Sequence, residues 1–296
     1  MTPSLPRHET SLPAYKRHLE KIQKKRESAV AGLVEAPFSV DISLNSLARS
    51  AKICLAMDPD ASELYTWESW TTWMQVSEAL LAMSTTPPGK TIERLINDKT
   101  RTLQAIGPSP SCDAGTWITA FFLAVSCRDE ERVHSLCQIP ASFLREAGES
   151  GSGGYDDYVY PWITAIQDYI LNRPELADNL YEAMRLSQPE HASISSPEKL
   201  DAFVFPPINA LYRLAQLDTD KFDEAFGQGI QLFHGYYTAD QERTKDLNGA
   251  LPLTLVGVAC LAHDMNQIAP DFTPDLSSDY LPKHILQRSW YGEFPI

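Results

Sequence analysis

Seven histidines and 39 carboxylates are enough raw material for a hydrolytic metal centre. The dipeptide His263-Asp264 has the order that helical metal-dependent phosphohydrolases use. Such an enzyme needs a His, then His-Asp, then a further Asp, brought from separate helices onto one ion that activates a water. His234, His263, Asp264 and Asp275 supply that set nominally. A helical chain with this many histidines also offers such a set by chance, and a His at a helix C-terminus complements the helix dipole without any metal. No H-E-x-x-H, G-x-S-x-G, Walker loop or dinucleotide fingerprint occurs. ESGSGG, residues 149–154, has the composition of a phosphate cradle but neither a preceding strand nor a lysine, so it reads as a linker. No catalytic residue, cofactor or metal ligand is assigned; the phosphohydrolase built on His234, His263 and Asp264 stays as the alternative.

The second place where chemistry could gather is GYDDYVYPW, residues 154–162, with adjacent carboxylates among aromatic rings. A glycosidase pair must face one bond across a bound sugar, ~5 to 9 Å apart. Neighbouring residues diverge by about 100° on a helix and point to opposite faces of a strand. Asp156 and Asp157 therefore read first as the start of a helix that holds Pro161 in its first turn, since acids suit that end of the dipole. The second reading is partner recognition by Tyr155, Asp156, Asp157 and Tyr158, because the glycine-rich approach exposes the stretch and tyrosine is favoured at binding hot spots. Trp67, Trp70 and Trp73 recur at three-residue steps and read as core packing.

The elements that position these residues are helical. In TDKFDEAFGQGIQLFHGYY the apolar residues Phe222, Ala225, Phe226, Gly229, Leu232, Phe233 and Tyr236 share one face, with Asp218 or Thr219 as N-cap. The same period marks helices over 14–33, 42–57, 62–83, 91–106, 116–127, 130–137, 160–171, 174–186, 197–217 with a break at Pro206-Pro207, and 250–263. No run of alternating β-branched residues calls for a central sheet. The expected fold is all-α, an array of antiparallel helical hairpins around one core. The chain reads as one domain over 13–296, with a flexible, dispensable end at 1–12 and a candidate hinge near 149–154. In the ending YLPKHILQRSWYGEFPI, Leu281, Ile285, Leu286, Trp290 and Phe294 carry more apolar area than a solvated tail would, so this segment is expected to dock on the body as a clasp.

The net charge is -14, yet residues 1–26 hold seven basic and two acidic side chains, leaving -19 on the rest. An acidic body repels phosphate backbones and attracts basic partners, which disfavours nucleic acid. Five cysteines without C-x-x-C spacing imply neither a disulfide framework nor a zinc site and fit a reducing cytoplasm. No signal-peptide pattern is expected at the N-terminus, and the apolar run from Leu251 to Ala262 is shorter than the ~20 residues of a membrane span.

The pieces TWITAFFLAVSCRDEERVHSLCQIP, YDDYVYPWITAIQDYI, VFPPINALYRLAQLDTDKFDEAF and SDYLPKHILQRSWYGEFPI, in this order, resemble the immunity protein 49 family of bacterial polymorphic toxin systems. The resemblance runs from about Cys112 to Ile296 and is most specific in the ending; before that it rests on helical character and TWESWTTWMQVSEALL. It implies a mostly helical cytoplasmic protein, without cofactor or catalytic residues, that binds and neutralises a toxin encoded by a neighbouring gene. A helical scaffold without a toxin partner is the remaining alternative.

Overall fold

The structure is a computed structural model that describes residues 5–8, 16–36, 40–151 and 154–296. It is predominantly helical. Helices α1 (Lys16–Glu35) and α2 (Val40–Met57) pack on each other and on α3 (Leu64–Thr85). Helix α3 is buried around nearly its whole circumference, its three tryptophans included. Its polar residues survive that burial because the hydroxyls of Ser69, Thr71, Thr72 and Ser77 donate to carbonyls one turn back.

After α3 the chain departs from the sequence expectation. Residues 91–106, read as a helix, form an antiparallel hairpin of β1 (Thr91–Ile96) and β2 (Lys99–Gln104), with Ile96 opposite Lys99. Asn97 and Asp98 both have positive φ, 49° and 59°, the geometry of a two-residue hairpin turn whose twist matches the strands. Ile92, Leu95, Ile96 and Leu103 satisfy a helical spacing equally well, and the turn chemistry decides between the two. Tertiary contacts then fix the hairpin: Arg94 and Arg132 both donate to the buried carboxylate of Glu78 on α3.

Helices α4 (Ala114–Cys127), α5 (Glu130–Cys137), α6 (Ala141–Glu149), α7 (Val159–Leu171) and α8 (Leu176–Leu186) follow. Short apolar-faced α6 was not foreseen. Next come α9 (Pro197–Lys199), a π turn (Leu200–Val204) and α10 (Phe205–Ala215). The expected break at Pro206-Pro207 is absorbed there: two residues without N–H cannot donate one turn back, and the backbone widens ahead of them, Phe205 N–H donating to Leu200 O. Helix α11 (Thr219–Thr238) is capped by Asp218 and packs on α10, with α12 (Gln241–Thr244) after it. Helix α13 (Leu253–Ile268) lies against α4 and α10. By length and composition residues 247–268 could cross a membrane, but 61% of the apolar 18-residue window within them is buried inside the protein. One cluster of buried side chains extends from α1 to α14 (Lys283–Leu286).

The C-terminal segment docks on this body as expected. Tyr280, Leu281 and Ile285 are buried. Arg128, in a left-handed conformation at the end of α4, donates to the carbonyls of Ile285 and Leu286 at 2.9 and 2.8 Å and grips Asp264 with two further bonds. Trp290 stacks on Trp67 and donates to Ala61 O at 2.8 Å. Phe294 remains 40% exposed.

Of the end expected to be flexible over 1–12, residues 5–8 are described and make contacts; residues 1–4 and 9–12 lie outside the described ones. Arg7 donates to the carbonyls of Leu55 and Ala250, and His8 Nδ1 meets the Tyr280 hydroxyl at 2.9 Å. Gly249 makes room for this, because a Cβ there would sit 2.5 Å from the His8 ring. The candidate hinge near 149–154 includes residues 152–153, which also lie outside the described ones.

Candidate functional site

The four residues singled out in GYDDYVYPW sit at one corner of the molecule, in unlike environments. Tyr155 is half-buried: its hydroxyl donates to Asp113 Oδ2 at 2.8 Å and accepts from Gly115 N–H at 3.2 Å. Burial and the neighbouring Asp113 carboxylate hold this phenol well above its ordinary pKa. A Cβ on Gly115 would lie 2.4 Å from that hydroxyl, so the glycine is what lets the tyrosine dock.

Asp156 is only 6% exposed. It does not cap α7, whose N-cap is Tyr158. Instead its carboxylate accepts three backbone N–H bonds from across the chain, from Ser193 at 2.6 Å, Ile194 at 2.8 Å and Ser195 at 2.7 Å. Burial alone would raise its pKa, but these bonds outweigh it and hold the group below its ordinary value. Burial holds the phenol of half-buried Tyr158 above its ordinary pKa. The helix-start reading is thus right about where α7 begins and wrong about what Asp156 bonds.

Asp157 behaves differently. Its side chain is 66% exposed and pairs with Arg145 at 3.1 Å, whose guanidinium lies 3.8 Å from the centre of the Tyr160 ring. Ile194, not anticipated from the sequence, belongs to the same corner. It is 60% exposed, and a Cβ added at Gly154 would lie 3.7 Å from its Cδ1. An exposed isoleucine usually belongs to a loose loop, but here the Asp156 carboxylate fixes the backbone on both sides of it. The clamp therefore offers an exposed apolar side chain on a fixed backbone. The signal was the carboxylate at 156; its partners, 37 to 39 residues away, left no local trace.

The phosphohydrolase set does not assemble. His234 Nδ1 is engaged with the Tyr280 hydroxyl at 3.0 Å. Asp264 is held by Arg128 and by His263 Nδ1 at 3.1 Å, and Asp275 caps its own turn at Ser277. Among the described residues no three His, Cys, Asp or Glu side chains converge as metal ligands would.

A family model for immunity protein 49 matches residues 58–285. The chain belongs to the immunity protein 49 family. The match begins far ahead of Cys112, taking in α3 with its tryptophans and the hairpin, and it takes in the ending as far as Ile285, stopping before Trp290. No curated protein and no solved structure matches the chain.

Proposed function

We propose that this member of the immunity protein 49 family neutralises a cognate toxin encoded by a neighbouring gene, by stoichiometric binding that covers the toxin's active site. It acts as a binder, without turnover, cofactor or metal. The observation that carries the proposed contact surface is the Asp156 clamp, which holds exposed Ile194 on a fixed backbone, while exposed Asp157 follows Asp156 in the chain. An apolar anchor that is already ordered loses little entropy on binding, and nearby carboxylates steer a basic partner. The charge of -14 supports a basic toxin, such as a nuclease whose phosphate-gripping groups also attract carboxylates. It argues against nucleic acid as a direct partner, and no membrane partner is part of the reading. A cytoplasmic address belongs to it, supported by five free, buried cysteines.

The test is co-expression with the toxin gene found beside this one, followed by purification of the complex and a growth-protection assay. Native protein should form a stable complex and protect. Ile194→Asp and Asp157→Lys should fold normally, bind at least tenfold more weakly and protect poorly. A neighbouring toxin that native protein neither binds nor blunts would defeat the functional reading. Full affinity in both variants would leave that reading standing and move the contact surface elsewhere.

A further inference from the structure

The apolar cleft beside Lys52 is independent of the proposed toxin-facing corner. It lies where α2, α3 and α4 meet α11, the π turn and the segment leading into α13, and encloses about 320 Å³, near the lower end of the ~300 to 1,000 Å³ typical of small-molecule pockets. Trp73, Phe203, Phe233 and Tyr237 form its aromatic wall, with Phe203 edge-on to Phe233 at 5.9 Å. Phe203 is carried on the π turn, a backbone irregularity that recurs at functional sites.

One cation faces this wall. Lys52 Nζ lies 5.9 Å from the Trp73 ring centre and donates to Asn248 Oδ1 at 2.7 Å. An ammonium has three donors, and among the described residues Lys52 has no carboxylate within ion-pair distance. Burial draws its pKa down, and Asp246 only partly opposes this. With its oxygen taken by Lys52, Asn248 keeps its amide N–H groups as further donors. Aromatic walls, one unpaired ammonium and one amide donor complement an apolar body with a single negative charge. A dianionic phosphate would leave excess charge close to Asp246.

We propose that this cleft binds a small amphiphilic monocarboxylate, its apolar part against Phe203 and Phe233 and its carboxylate on Lys52 and Asn248. The experiment is calorimetric titration of the full chain with octanoate and, in parallel, with octanol, which shares the body without the charge. Octanoate should bind one per chain, and octanol at least tenfold more weakly. Lys52→Met should reduce octanoate to the octanol level. Asn248→Asp, at an exposed position, supplies Lys52 with an internal anion and should also abolish the octanoate preference, which keeps the proposal testable should Lys52→Met fold poorly. Absence of saturable octanoate binding, equal binding of octanol by native protein, or an octanoate preference that persists in a folded variant would each overturn it.

Discussion

At the scale of single residues, adjacent Asp156 and Asp157 do opposite jobs, and substitution separates them. Asp156 uses both oxygens to hold three N–H groups. An amide offers one oxygen and no charge, so Asp156→Asn is expected to lower stability by ~1.5 to 3 kcal/mol, the range for hydrogen bonds to charged groups, read as a drop in melting temperature. Asp157→Asn removes only an exposed ion pair and should cost less than about 1 kcal/mol. Because the folded Asp156 carboxyl titrates below its ordinary 3.8, its contribution is complete above that value and is lost as pH falls through the lower, folded one. The stability difference between native protein and Asp156→Asn, measured by denaturant titration, should therefore be constant from pH 5 to 7 and shrink only under stronger acid, below the 3.8 reference.

At the scale of elements, two end segments are held by specific side chains. Arg128 is the fastener of the C-terminal one. Arg128→Met would leave Asp264 without its arginine, with only His263 in contact, and the carbonyls of Ile285 and Leu286 without that donor. Arg128 is buried and Asp264 31% exposed, so the loss of these bonds costs less than the ~3 to 5 kcal/mol of a fully buried pair but loosens the tail, which protease cleavage near 283–290 would report. Truncation after Ser289 removes Trp290 from its stack on Trp67 and should destabilise the fold by ~1.5 to 3 kcal/mol for that ring. At the other end, removal of residues 1–8 should lower the melting temperature, because Arg7 and His8 bridge α2, the 249–250 turn and Tyr280. Burial, then His234 and Arg7, hold His8 below its ordinary 6.5. Its stabilising effect is present above pH 6.5 and declines as pH falls toward the lower folded value, so the deletion should matter less at pH 5 than at pH 8.

At the scale of the whole molecule, charge sets the approach of a partner more than the final affinity. The -14 chain should associate with a basic toxin at a rate that falls steeply between low and physiological salt, while dissociation changes little. Stopped-flow association at several salt concentrations checks this. A rate independent of salt would mean that the partner is not basic or that the acidic surface faces away from it.

Much of the helical fold is local and was legible in the sequence. The apolar period in α11, the Asp218 cap, the tryptophan stripe in α3 and the excess apolar area of the ending each follow from near-neighbour chemistry. The hairpin at 91–104 was, with short α6, an exception, since its apolar spacing fits two periods and Asn97-Asp98 could break the tie only by adopting positive φ. The candidate site was half legible: GYDDYVYPW drew attention to Asp156 and Asp157, yet nothing near Asp156 in the chain announced Ser193, Ile194 and Ser195. Nor does sequence spacing link Arg128 to Leu286, His8 to Tyr280 or Lys52 to Asn248. Such pairings arise only when helices pack, because a buried polar group must find whatever partner the fold brings to it. Periodicity and capping therefore determined the elements, and tertiary packing alone decided which of their polar residues are fasteners and which remain free to meet a partner.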